Sequence, residues 1–417
     1  MSEIDYLNLL GLVSIAMLAP LLVDLLRLPI PDVVAMILAG VAVGGSGLGW
    51  VEVDASVELL SALGLAYLLF VSGLEIRAIA LRGRIKVSMA AFFASLAIAL
   101  VAAIGFRAAG LVSNIGIMVA VLITTSLGIV VVLLKDEGRL ATPMGQLTLL
   151  GASLGDFGSV ALLSVLFSGD DSPMAVRVLL LVLFAVALFT LGAAGVRMSS
   201  FARLRRAFAR RAGGASRIVV RTSFTLMVGF AALANAVGLE AILGAFAAGV
   251  VVSVIADRVA GVDDIAAIGD DDPGAMGDVR GQLETIGFGL MAPLFFVSSG
   301  LRFDLGALLD SPEGLALVPL ALLAMIATRL LPALLFAPFL DRREVLASGL
   351  LMSIKLTFVV ATVQIGSEAG ALTPAAASAI ISAAMISVIT IPTLVRWILR
   401  RMPVPALEAP AMSPARA

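Results

Sequence analysis

The chain has 417 residues, 61% of them hydrophobic and 14% charged, with a net charge of −1 and a mean hydropathy of +1.12. No water-soluble domain needs that much apolar surface, so the composition reads as a polytopic membrane protein. It contains no cysteine and no histidine, which excludes disulfides, thiol or imidazole catalysis and the commonest transition-metal ligand. Apolar runs of roughly twenty residues, separated by charges, Pro or Gly, predict about thirteen transmembrane helices and an all-α fold. They cover 6–26, 31–49, 56–76, 87–106, 113–134, 144–167, 173–196, 217–238, 240–257, 281–300, 314–338, 344–365 and 373–396. The first run is preceded by acidic residues and lacks a small-residue cleavage site, so it reads as a true span and not as a removed signal peptide. Pro29-Ile30-Pro31 and Gly238-Leu239 form hairpin-like joints, where Asp32 and Glu240 are candidate helix caps.

Basic residues set the orientation. With the N-terminus outside, the inside loops and the C-terminal tail hold 23 of the 28 lysines and arginines, and the outside loops hold only Arg107 and Arg302. This positive-inside bias also requires an odd number of spans, with the C-terminus in the cytoplasm.

Three spans carry a single charge near their centres. Asp156 is alone between Arg139 and Asp170, Arg329 between Glu313 and Asp341, and Lys355 between Glu344 and Glu368. An ionised group at bilayer depth costs a few kcal/mol even on insertion scales, so a chain that keeps one there has a use for it. An ion or proton pathway through Asp156 is the first expectation.

The chain also repeats itself. Leu69-Phe70-Val71-Ser72-Gly73-Leu74-Glu75 closes the third span and Phe295-Phe296-Val297-Ser298-Ser299-Gly300-Leu301-Arg302 closes the tenth. The spans before them agree in texture as well, Ala35-Met36-Ile37-Leu38-Ala39-Gly40-Val41-Ala42-Val43-Gly44 against Ala241-Ile242-Leu243-Gly244-Ala245-Phe246-Ala247-Ala248-Gly249-Val250. Both pairs are seven spans apart, an odd offset, which predicts two inverted repeats, about 6–167 and 217–396, joined by the span at 173–196. Chance likeness among Leu/Phe/Gly-rich helices is the other reading. The pairing sets Thr124-Thr125-Ser126 in the fifth span against Ser353-Ile354-Lys355-Leu356-Thr357 in the twelfth. Either both helices unwind there, exposing carbonyls able to hold a dehydrated cation, or the hydroxyls bond back to the carbonyl four residues earlier in intact helices.

Leu28-Pro29-Ile30-Pro31 with Leu38-Ala39-Gly40, the Leu69-to-Glu75 ending, Gly244-Ala245-Phe246-Ala247-Ala248-Gly249 and Pro293-Leu294-Phe295-Phe296 together resemble the monovalent cation:proton antiporter superfamily. The nearest branch is that of bacterial sodium/proton exchangers and potassium-efflux systems. The resemblance covers residues 1–400 and implies a sodium/hydrogen exchanger-type transmembrane domain with two crossed discontinuous helices, in a homodimer in the bacterial inner membrane. It implies exchange of protons for sodium or potassium in the service of pH homeostasis. Asp156 matches the aspartate that binds cation and proton, Thr124, Thr125 and Ser126 match the polar centre of the first broken helix, and Arg329 falls where relatives place a lysine or arginine. Lys355 is read as a second electrostatic partner. Where relatives carry an acid, Asn or Gln immediately before the aspartate, this chain has Gly155.

Two other functions compete. One is a sodium-coupled carrier of an organic anion held by Arg329 and Lys355; the other is a membrane-embedded enzyme, for which a chain without His or Cys offers poor catalytic groups. The reading is therefore a transporter with no cofactor, no nucleic-acid partner and lipid as its surroundings. The arginines from Arg197 to Arg221 form either a basic amphipathic helix on the membrane surface or a plain inside loop. The acidic segment 263–278 reads as a solvated loop, and 401–417 as a short cytoplasmic tail with no room for a regulatory domain. Glu75 and Arg302 read as structural anchors at opposite faces, and the glycines Gly40/Gly44 and Gly244/Gly249 as faces for close helix approach.

Overall fold

The computed structural model describes residues 6–27, 30–75, 84–140, 142–166, 215–260 and 275–400, together with Val176 and Thr190. The span expected at 173–196, most of the arginine run, most of the acidic segment and the tail lie outside the described residues. Sixteen α-helices occur among the described residues. They are α1 (Tyr6–Leu26), α2 (Asp32–Val43), α3 (Ala55–Glu75), α4 (Ile85–Ala108), α5 (Ile115–Ile123), α6 (Leu127–Asp136) and α7 (Pro143–Leu166). After the gap come α8 (Ala215–Ala236), α9 (Ala241–Ala260), α10 (Ala275–Ile286), α11 (Ala292–Leu301), α12 (Leu305–Leu309), α13 (Pro312–Ala333), α14 (Arg342–Met352), α15 (Thr357–Glu368) and α16 (Pro374–Leu399). Nine of the described helical stretches are long and apolar enough to cross a membrane, and two shorter apolar helices, at Asp32–Val43 and within α9, accompany them.

Most expected boundaries differ from the observed ones by a few residues, and the larger differences have local causes. The second span was expected to reach 49 but stops at Val43, because Gly44-Gly45-Ser46-Gly47 turns the chain back and Leu48 N–H bonds to the Ala42 carbonyl. Asp32 sits in the first turn of α2, where its charge suits the helix dipole, and Pro31 holds the cap position. The tenth span begins early, at Ala275, and a π-turn at Gly287–Met291 joins α10 to α11.

The fifth and twelfth spans are each broken, at 124–126 and at 353–356. The Ser353 hydroxyl bonds back to the Gly349 carbonyl four residues earlier, at 2.7 Å, whereas those of Thr124, Thr125 and Ser126 bond to other elements. The helices sort into two units by contact. One comprises α1, α2, α3, α8, α9, α10 and α11; the other, which we term the core unit, comprises α4–α7 and α12–α16. The inverted repeat is visible in how they pair. In the first unit α2 lies against α11 and α3 against α9. At the first crossing a Cβ on Gly40 would stand 2.3 Å from the Val297 carbonyl oxygen and 2.9 Å from Gly300 Cα; at the second, a Cβ on Gly249 would stand 1.9 Å from the Phe70 carbonyl oxygen. These are the glycines of the two repeated motifs, and their missing side chains let the backbones touch within one unit. Contacts across the seam between the units run mainly through α7 on α9, α3 on α6 and α11 on α15.

Candidate functional site

The site is built where the two broken spans meet α7 inside the core unit. Apolar Ile115–Ile123 form a regular helix. The next three residues all carry hydroxyls that compete for backbone partners, and Thr124 is already extended. A helix end buried in apolar surroundings must satisfy its free N–H and C=O groups. Here each break satisfies the other. Ser126 N–H donates to the Ile354 carbonyl at 2.8 Å. The Ser126 hydroxyl accepts the Leu356 N–H at 2.8 Å, and the Thr125 hydroxyl donates to the Met352 carbonyl at 3.1 Å. Ser387 on α16 closes the circuit: its oxygen accepts the Lys355 N–H and lies 3.1 Å from the Lys355 carbonyl.

Asp156, buried at the middle of α7, faces this crossing. Its Oδ1 accepts from the Thr124 hydroxyl at 3.0 Å and from the Thr125 N–H at 2.8 Å. Its Oδ2 is buried and has no hydrogen-bond partner in the protein. Arg329 and Lys355, both buried, attract its charge from α13 and from the second break. Burial penalises the charged carboxylate and these two cations favour it.

The two cations are held differently. The Lys355 ammonium donates to the Leu122 carbonyl at 2.8 Å and closely to the Thr124 carbonyl. Those oxygens belong to the buried C-terminal end of α5, where a cation is favoured. Carbonyls at an unwound break are able to hold a dehydrated cation, and here two of them accept from Lys355. Arg329 directs Nη1 toward the Gly151 carbonyl at 3.5 Å, while its Nε and Nη2 have no hydrogen-bond partner. Its guanidinium lies against Gly155. A Cβ at that position would stand 1.8 Å from Arg329 Nη2 and 2.4 Å from the Ile123 carbonyl oxygen.

All six candidate residues therefore lie in one cluster: Asp156, Thr124, Thr125, Ser126, Arg329 and Lys355. Sequence reasoning missed Ser387 and the carbonyls of Leu122 and Gly151. Nothing in the sequence distinguishes Ser387 from the other serines of α16, such as Ser378 and Ser382. The neighbour of Asp156, Phe157, points into the seam between the units. Its ring centroid lies 6.3 Å from that of Phe246 on α9, which lies 6.3 Å from that of Phe358 on α15.

A family model described as sodium/hydrogen exchanger, transmembrane, matches residues 13–401. YjbQ of Bacillus subtilis (strain 168) is 32% identical over 96% of this chain, which spans 64% of that relative's length. A Na(+)/H(+) antiporter of Enterococcus hirae is 27% identical over 75% of this chain and 76% of its own. The solved structure of the sodium proton antiporter MjNhaP1 from Methanocaldococcus jannaschii shares the fold. It covers 94% of this chain and 97% of its own at a TM-score of 0.66, with 16% identity.

Proposed function

The chain belongs to the sodium/hydrogen exchanger family, whose model matches residues 13–401, and from that premise we propose that it exchanges protons for sodium or potassium at Asp156. The observation that carries this reading is the unequal pair of carboxylate oxygens. Oδ1 is fixed by two donors, whereas Oδ2 is buried without a protein hydrogen bond. Oδ2 takes either a proton or a dehydrated cation, and one carboxylate does not serve both at once. When the cation arrives the proton leaves, and mutual exclusion couples the two fluxes. Thr124 and Thr125 aim the carboxylate, Ser126 fixes the break that presents them, and Arg329 and Lys355 offset the buried negative charge.

In this reading the two units supply the alternating access. The core unit carries the site, and the apolar seam of Phe157, Phe246 and Phe358 runs beside it. Sliding the core unit along that seam would expose Asp156 to one side and then the other. We read the protein as a homodimer in the bacterial cell membrane, with the N-terminus outside and the C-terminus in the cytoplasm. Residues 1–400 then form one exchanger-type domain. An organic-anion carrier fits less well, because the Lys355 ammonium is committed to carbonyls of α5.

Asp156→Asn tests the proposal. The amide oxygen still accepts from Thr124 and Thr125, so the crossing keeps its geometry, but the amide nitrogen in place of Oδ2 neither releases a proton nor ligates a cation. Sodium- and potassium-driven proton flux in proteoliposomes is expected to fall to the protein-free background, with insertion and melting close to wild type. Retained exchange in a folded variant would remove Asp156 from the mechanism.

A further inference from the structure

We propose that Arg302, Glu368 and Glu240 form a latch across the seam between the two units, at the outer end of the molecule, which releases as the outer solution becomes alkaline. This inference rests on the exchange reading above and assigns it a control point.

Arg302 caps the C-terminal end of α11 in the first unit, and Glu368 is the last residue of α15 in the core unit. Arg302 Nη1 donates to Glu368 Oε1 at 2.7 Å, an ion pair that joins the units. The same oxygen accepts from Gln364 Nε2 at 2.9 Å, which fixes the carboxylate on its own helix. Glu58, at the start of α3, stands 4.0 Å from Arg302 Nη2 as a more distant partner. Glu240, in the turn ahead of α9, makes a second tie to the core unit, its N–H donating to Ser164 Oγ on α7 at 3.3 Å. The ion pairs at the opposite end, Arg139 with Glu344 and Arg396 with Asp136, stay inside the core unit. Sliding the core unit therefore leaves those pairs intact but loads the bond between Arg302 and Glu368, beside the bond from the Asp304 N–H to Ser378 Oγ on α16.

The latch also has a short mechanical path to the site. The helix that ends at Glu368 begins at Thr357, beside the Leu356 N–H that bonds to Ser126. Twelve residues of α-helix measure about 18 Å, so a displacement at Glu368 is carried to the crossing by one rigid element.

The pH sense comes from Glu240. Among the described residues, the charge that acts on it is that of Glu368 on α15, which is paired with Arg302 on α11, itself approached by Glu58 on α3. The helices α7 and α8 bring no charged side chain to this end. Burial, and then the neighbouring charge of Glu368, push the Glu240 carboxyl above its ordinary range. The latched arrangement thus favours neutral Glu240. As pH rises Glu240 ionises, repels Glu368 and loosens its pairing with Arg302; unlatching relieves both effects, so loss of the proton drives release.

The test measures exchange in proteoliposomes while outer pH is varied at fixed inner pH. Arg302→Gln and Glu368→Gln are expected to raise exchange at acidic outer pH about two- to fivefold, the scale of a partly exposed ion pair. Glu240→Gln is expected to lower it at alkaline outer pH by a similar factor. Asp136→Asn, which breaks the opposite-end pair with the same loss of charge, leaves the outer-pH profile unmoved. In the cysteine-free background, Arg302→Cys with Glu368→Cys, bridged by a reversible bifunctional thiol reagent, is expected to stop exchange until reductant is added. An unshifted profile in both Arg302→Gln and Glu368→Gln, or full exchange by the bridged protein, overturns the latch while leaving the exchange reading in place. A wild-type protein with no cation-driven proton flux overturns the exchange reading and the latch with it.

Discussion

At the scale of single residues, Gly155 and Arg329 define each other. The guanidinium fills the volume that a side chain at 155 would need, and the Ile123 carbonyl borders the same space. Gly155→Ala is expected to destabilise the protein by about 1–3 kcal/mol, the usual scale of overpacking a tight interior. Arg329→Lys lacks the planar fork, so the double variant is expected to lose less than the two single variants added together. Thermal melting in detergent decides this; strictly additive losses would show that the guanidinium is not what excludes the Cβ. The sequence announced Asp156, Arg329 and Lys355 because each is a lone charge in an apolar run. It gave no sign of how the cations are engaged. Spacing along a span places Lys355 at a depth but does not say that Leu122 and Thr124, more than two hundred residues away, present it with carbonyls.

At the scale of elements, each break is held in part by groups of the other, in addition to the local turn bonds of Ser353 and Ile354. Ser126 accepts two N–H groups from the second break, Leu356 at 2.8 Å and Thr357 at 3.4 Å. Ser126→Ala leaves the Leu356 N–H buried and unpaired, a loss of about 1–3 kcal/mol. Ser126→Thr keeps the hydroxyl and is expected to retain most of that stability. Ser387→Ala removes the acceptor for the Lys355 N–H on the other side of the same segment and should behave like Ser126→Ala. Melting temperatures that do not move in either alanine variant would mean that these hydroxyls do not hold the crossing together. The breaks were legible because polar, β-branched centres interrupt strongly apolar runs at symmetry-related positions. The early stop of α2 was also written in the sequence, in Gly44-Gly45-Ser46-Gly47, but a period-based reading carried the apolar run past it. The π-turn at Gly287–Met291 was not legible. It has no counterpart in α3, its repeat mate, and two glycines in an apolar span are too common to mark it.

At the scale of the whole molecule, one carboxylate between two fixed cations points to electroneutral exchange, one proton for one monovalent cation. A cycle moving two protons per cation needs a second group that titrates at the site. Gly155 supplies none, and the guanidinium of Arg329 stays protonated in proteins. Lys355 is the remaining candidate, but its nitrogen donates to the Leu122 and Thr124 carbonyls at the end of α5. An amine that gave up its proton in every cycle would weaken that link each time, at the point where the two breaks are stitched together. Initial rates of cation-driven proton flux in proteoliposomes, with and without a potassium–valinomycin potential, test the stoichiometry, with sodium as the driving ion so that the clamp and the substrate do not mix. Rates independent of potential are expected for wild-type protein. Rates that rise with an imposed potential would overturn electroneutrality, and their disappearance in Lys355→Gln would identify Lys355 as the second proton carrier. Lys355→Gln removes the positive charge at the carbonyl end of α5 and shortens the reach to the Leu122 and Thr124 carbonyls, so its melting temperature should fall while the exchange that remains stays insensitive to potential.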